Sequence, residues 1–163
     1  MKTALILLVA VLGISVASAE KQIPEKFLGK FEVTTSENFD EYLAAKGVGW
    51  FIRKMIQMAS VTKSFEKSST PGRYRIRNFT SKKNTDYENV ELGKTFTAEG
   101  LDSTQHKITY DFDENLQVLR ETHERIETED KKPETYEYSM DGETLVMKME
   151  HNGVVCKRFF KRV

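Results

Sequence analysis

The sequence predicts an all-β chain, either an antiparallel barrel or a sandwich, and the barrel is favoured. Three observations carry this reading. Short runs that alternate apolar and polar residues fill most of the chain beyond residue 70. The pairs Asp141-Gly142 and Asn152-Gly153 lie between such runs, and both suit tight two-residue hairpins. A pair of short helical patterns is inserted near the N-terminus, which is unusual for a sandwich but suits a barrel whose open end needs a lid.

The first nineteen residues stand apart. Lys2 supplies a positive start, Ala4 to Val11 is apolar and continues through Leu12 and Ile14, and Ala17-Ser18-Ala19 gives small residues at a cleavage position. This is the three-part grammar of a secretory signal peptide, removed after Ala19. The apolar stretch falls short of a membrane span of about 20 residues. The alternatives are an uncleaved anchor or a buried first strand. The expected domain then covers residues 20–163, a length that suits one domain, and it is expected outside the cell.

Charge and cysteine content narrow the class further. The chain carries 25 basic and 25 acidic side chains, and only Lys2 falls in the leader. No basic excess speaks for nucleic acid. The single cysteine, Cys156, cannot pair within the chain, so stability rests on burial and backbone pairing. A lone thiol survives best in an oxidising space when shielded, so Cys156 is expected to be buried and inert.

Asn38 is placed to cap the first helix, with Glu41 three residues on in capping-box spacing. Phe39, Tyr42 and Leu43 then share one face, and Gly47-Val48-Gly49 ends the helix. A second helix is expected from about Trp50 to Ala59, with Trp50, Phe51, Met55 and Met58 on its apolar side. Both are too short to be stable alone.

The strands follow in order. Tyr74 and Ile76 alternate with Arg75 and Arg77; Ile108, Tyr110 and Phe112 with Thr109 and Asp111. Tyr136, Tyr138 and Met140 form a third such face, and Leu145, Met147 and Met149 a fourth. The charged segment Glu127 to Glu134 reads as an exposed turn. Asn78-Phe79-Thr80 is a glycosylation sequon, but parity turns Asn78 inward with Tyr74 and Ile76, where no glycan fits.

The last strand carries the clearest chemical signal. Val154, Cys156, Arg158 and Phe160 share one face, because side chains alternate along a strand. That parity puts a guanidinium among apolar neighbours. A buried charge needs a partner, so either a protein carboxylate or a ligand anion meets Arg158; the remaining reading is that this face is solvated. Arginine grips a carboxylate through two parallel hydrogen bonds. Met147 and Met149 supply adaptable apolar surface, as cavity wall or as ordinary core.

These residues fall in a wider pattern. Phe27-Leu-Gly29-Lys-Phe31, Ser36-Glu-Asn-Phe-Asp-Glu-Tyr42, Gly47-Val-Gly49, Arg53-Lys54 and Met58-Ala59 resemble the N-terminal signature of the intracellular lipid-binding protein (calycin) family, which includes the fatty-acid-binding proteins. The resemblance resumes at Lys83-Asn84-Thr85 and Leu92-Gly93-Lys94-Thr95-Phe96 and ends in Gly153 to Phe160. With its leader, and in Leu101 to Thr109, the chain resembles the secreted nematode branch. The resemblance implies a ten-stranded antiparallel up-and-down β-barrel, or clam, with a helix-turn-helix lid and an interior fatty-acid site. It implies Arg158 as the carboxylate anchor. Phe160 stands where the family has a tyrosine, and Tyr138 is expected as a substitute donor. Phe39, Tyr42, Leu43 and Ile52 are expected on the lid side of the site, and Met147 and Met149 on its wall. At the entrance, where the family places an aromatic residue, this chain has Lys82 beside Lys83.

The expected activity is therefore extracellular carriage of a long-chain fatty acid or similar lipid, retinoids included. The partners expected are the lipid and, transiently, a membrane touched by the lid, with a monomer as the default. A secreted protein-interaction or immunomodulatory module built on the same barrel is the alternative. Catalysis is not expected. His106, His123 and His151 lack metal-ligand spacing, and the chain has no nucleophile elbow or phosphate loop. No cofactor is expected.

Overall fold

A computed structural model of the protein describes residues 20–127 and 132–163. The expected leader, and the centre of the charged turn at 128–131, lie outside the described residues. After a single 3-10 turn at Glu25–Phe27 come strand β1 (Gly29–Glu37), helices α1 (Phe39–Ala45) and α2 (Trp50–Met58), then nine more strands. These are β2 (Val61–Lys67), β3 (Tyr74–Thr80), β4 (Thr85–Val90), β5 (Thr95–Glu99), β6 (Gln105–Asp113), β7 (Val118–Arg125), β8 (Glu134–Asp141), β9 (Thr144–His151) and β10 (Val154–Arg162).

All ten strands join one antiparallel sheet in the order β4-β3-β2-β1-β10-β9-β8-β7-β6-β5. Successive strands are neighbours except β4 and β5, and β1 closes against β10, so the sheet curls into a nearly closed barrel. Its two ends, β4 and β5, are not hydrogen-bonded to each other, and side chains bridge the opening instead. The Tyr87 hydroxyl donates to the Glu99 carbonyl at 3.0 Å, and the Tyr87 and Phe96 rings meet edge to face at 5.4 Å. Lys83 pairs with Glu99 and donates to Ser103 at 2.9 Å.

The alternation seen in the sequence becomes the inner face of the barrel. Tyr74, Ile76 and Asn78 are buried along β3, and Ile108, Tyr110 and Phe112 along β6. Leu145, Met147 and Met149 are buried along β9. Phe27, Phe31, Phe65, Leu119, Tyr138 and Phe160 complete a continuous core. Full burial of a side chain of this size contributes about 1.5–3 kcal/mol, which accounts for a disulfide-free fold.

The turns obey backbone chemistry closely. The β9–β10 loop is Asn152-Gly153, with φ of 48° and 80°, the pair of positive values that a type I′ turn requires. The β8–β9 hairpin sits one residue later than expected. Asp141 pairs with Thr144, so the loop is Gly142-Glu143, with Gly142 at φ 56° in the first position, as in a type II′ turn.

The lid departs from expectation at both helices. Asn38 precedes α1 with φ 53° and makes no side-chain cap. Its amide instead donates to the Val155 carbonyl at 3.1 Å, because a left-handed residue there turns the side chain toward β10. Helix α2 buries none of its residues. Trp50, Phe51, Ile52, Met55 and Met58 stand in solvent, and Ile56 alone of its residues packs against the core. What holds α2 to α1 is polar: Asp40 accepts from Arg53 at 3.1 Å and Gln57 at 2.6 Å.

Candidate functional site

Alternation along β10 sets Arg158 between Cys156 and Phe160, both fully buried. Arg158 itself is half-buried, at the level where β1 ends and α1 begins. Its guanidinium lies over the Phe39 ring at 4.3 Å and near that of Phe160 at 5.8 Å, and its Nε donates to the Ser36 hydroxyl at 3.2 Å. Burial lowers its pKa from the ordinary value. Among the described residues no carboxylate lies within ion-pair distance of it. The guanidinium forms part of the wall of an open cavity of about 420 Å³, shared with Val33, Ser36, Phe39, Gln57 and the acidic residues Asp40 and Glu41.

The other expected site residues fall into two groups. Tyr138 and Phe160 are fully buried, with Met147, Met149, Tyr42 and Leu43 nearly so. Met147 is the strand neighbour of both Arg158 and Tyr138, so one row crosses three strands. Phe39 is half-buried against the core. Ile52 stands apart from these, 49% exposed on α2.

Beneath this row lies a polar system that the sequence reading did not anticipate. Strands β2 and β7 are five places apart in an order of ten, hence on opposite walls. Lys63 from β2 and Glu121 from β7 nevertheless come within 3.8 Å, an ion pair that crosses the lumen. Lys63 also donates to Asn78 at 2.8 Å, and Asn78 to Thr85 at 2.9 Å. Glu121 accepts from the Tyr138 hydroxyl and meets His123 at 2.7 Å. His123 faces His106, Nδ1 to Nδ1, at 3.2 Å, and His106 reaches Asp102 at 2.9 Å. Asn78 is thus an interior residue with its amide engaged, as its parity required.

The charges of this chain are consistent with their settings. Burial would raise the Glu121 pKa, but the Lys63 charge and the His123 and Tyr138 hydrogen bonds outweigh it and hold the carboxylate ionised. Burial pulls the Lys63 pKa down against the opposing attraction of Glu121. A parity signal for these residues did exist: Lys63 shares its face with Phe65, and Glu121 and His123 share theirs with Leu119. Read as charged stretches, both strands pass for solvent-facing.

Among the described residues no cluster of three or more ligating side chains is arranged for a metal. Cys156 is buried, and burial pushes its thiol up to about 11.

No family model matches the chain. Individual relatives do. It is 54% identical over 146 residues to fatty acid-binding protein homolog 3 of Caenorhabditis elegans, covering 90% of this chain and 87% of that one. The chain belongs to the fatty-acid-binding protein family. A fatty acid-binding protein homolog of Ascaris suum is 43% identical over 164 residues, covering 99% of each. The solved structure of As-p18, an extracellular fatty acid binding protein, superposes with a TM-score of 0.84 at 46% identity, covering 88% of this chain and 100% of that one. As a fatty-acid-binding protein, the chain is a lipid-binding protein and not an enzyme.

Proposed function

We propose that this fatty-acid-binding protein is an extracellular carrier that holds a long-chain fatty acid in its barrel, with the carboxylate at Arg158. The observation that carries this reading is the charge of the interior. Lys63 and Glu121 pair with each other, and among the described residues no carboxylate lies within ion-pair distance of the half-buried Arg158, although Asp40 and Glu41 line the same cavity. A desolvated guanidinium favours an anion, and one monoanionic head group balances it. The guanidinium carbon lies 4.3 Å from the centre of the Phe39 ring, and a planar guanidinium can meet a carboxylate at two points. Apolar side chains such as Met147 and Met149 then face the acyl chain, where each buried CH₂ contributes about 0.8 kcal/mol.

Extracellular placement rests on the secretory grammar of residues 1–19 and on the likeness to As-p18, described as extracellular. A transient membrane contact is supported by the exposed side chains Trp50, Phe51, Ile52, Met55 and Met58, gathered on one short helix of the lid. Retinoids remain within the reading only as weak, anionic or hydroxylated alternatives to a fatty acid.

The test compares a C16 or C18 fatty acid with its methyl ester on delipidated protein by calorimetric titration. The acid is expected to bind at least tenfold more tightly. Equal binding removes the carboxylate anchor, and failure of both removes the carrier reading. Mass spectrometry of lipid extracted from natively purified protein identifies the resident ligand.

A further inference from the structure

The cavity at Arg158 is larger and more polar than the head group of a fatty acid requires. Its volume of about 420 Å³ falls in the range of about 300–1,000 Å³ that takes a whole small molecule. Apart from Val33 and Phe39, every side chain on its wall is polar or charged, so the space does not suit an alkyl chain.

Two of the wall residues are acids in the first turn of α1. Asp40 is engaged. It accepts from Arg53 at 3.1 Å and Gln57 at 2.6 Å and lies 3.5 Å from Lys54. Glu41 is not. It is exposed, and among the described residues it has no ion pair or hydrogen-bond partner. Asn38 makes no side-chain cap, so no capping box occupies Glu41. Its charge still reaches the site. Burial does most to push the Cys156 thiol up; beyond that, Arg158 pulls it down and Glu41 adds to the rise. Both charges thus lie close to one buried sulfur.

These groups stand in a definite order. Arg158 pairs with Met147 across the β9–β10 ladder and is flanked by Cys156 and Phe160, and all three neighbours are buried. The guanidinium is half-buried, and Glu41 is exposed. From the interior outward the protein therefore presents an apolar wall, a cation and an anion. The matching ligand has an alkyl chain, then an anion, then a cation. A free fatty acid supplies the first two, and leaves its carboxylate in one cavity with an unpaired acid of the same sign. A single-chain phospholipid with a choline or ethanolamine head supplies all three in that order, since its phosphodiester lies between the chain and the ammonium.

We infer that this barrel takes single-chain phospholipids with zwitterionic head groups, the phosphodiester on Arg158 and the ammonium facing Glu41. The inference rests on the carrier reading and widens its ligand class. A guanidinium grips a phosphodiester by the same charge-assisted hydrogen bonds as a carboxylate, so the anchor needs no change.

The experiment is competitive displacement of a fluorescent fatty acid from the delipidated protein. The competitors are palmitic acid and the 1-palmitoyl lysophospholipids with choline, ethanolamine and glycerol heads, each kept below micelle formation. The glycerol compound carries the same phosphodiester without the ammonium. The choline or ethanolamine compound is expected to compete about fivefold better than the glycerol one, the size of one well-placed, partly exposed ion pair. Glu41→Gln should bring the three head groups to equal competition. The inference is overturned if the glycerol compound competes as well as both zwitterionic ones, or if their advantage survives in Glu41→Gln. If palmitic acid displaces the probe and no lysophospholipid does, the inference falls and the carrier reading stands. If nothing displaces it, both fall.

Discussion

Lys63 and Glu121 meet across the lumen at 3.8 Å, from strands five places apart in the sheet. The pair ties opposite walls of the barrel together. Removing one member of a buried ion pair leaves the other uncompensated and costs about 3–5 kcal/mol. Glu121→Leu strands Lys63 and also frees Tyr138 and His123, so it is expected at the upper end. Lys63→Met leaves Glu121 its two hydrogen-bond donors, and is expected to cost less. The double variant should lose less than the two single losses combined. Urea unfolding of the four proteins measures this directly; simple additivity would mean that the two side chains do not couple.

Arg158→Met should lower fatty-acid affinity by about 10–100-fold, the value of hydrogen bonds to a charged group, with little change in thermal stability. Phe160→Tyr restores a hydroxyl next to the guanidinium, and affinity is expected to rise about tenfold by the same reasoning. Titration of one fatty acid into both variants decides the matter. An unchanged Kd in Arg158→Met would place the head group elsewhere.

Acid should loosen the lid before it unfolds the barrel. Glu134 on β8 accepts from Lys46, at the end of α1, at 2.6 Å. Burial alone would raise the Glu134 pKa, but the Lys46 ammonium and the Tyr136 hydroxyl hold it below its ordinary value of 4.5. A depressed carboxylate stabilises the fold above the unfolded pKa and loses that contribution as pH falls through the folded one. The Lys46–Glu134 tie is therefore intact at neutral pH, begins to lose its contribution as pH falls below the ordinary value of 4.5, and is lost as pH falls through the lower folded value. Hydrogen exchange of α1 amides between pH 6 and 3 should show protection lost earlier than in β6–β9; Glu134→Gln should remove the pH dependence.

Cys156 should resist alkylation in the folded protein. The thiol is buried and pushed up to about 11, so little thiolate exists at pH 8. Labelling with iodoacetamide is expected only in denaturant. Rapid labelling of native protein would contradict the buried placement.

The sequon at Asn78 should stay unmodified when the chain is secreted from eukaryotic cells. Asn78 lies inside the barrel, bonded to Lys63 and Thr85, and a glycan there would prevent closure of β3 on β4. Intact mass before and after endoglycosidase treatment should be identical.

The alternation of Tyr74, Ile76 and Asn78, or of Leu145, Met147 and Met149, fixes which side of a strand faces in, because a strand repeats every two residues. The Asn-Gly pair at 152–153 determined its own hairpin for the same local reason, since few residues accept positive φ. Parity alone also carried Arg158 to the inner face. None of this says which residues meet across the lumen. Lys63 and Glu121 are 58 positions apart in the chain, and their contact exists only because β1 closes on β10. The pairing of β6 with β7 brings Asp102, His106, His123 and Glu121 into one chain of contacts, where the sequence offered only scattered polar residues. The tertiary fold also leaves the apolar side of α2 facing water, although its spacing reads as a buried stripe. Local chemistry is set by neighbours a few residues away, whereas the curvature that sets wall against wall comes from the whole sheet.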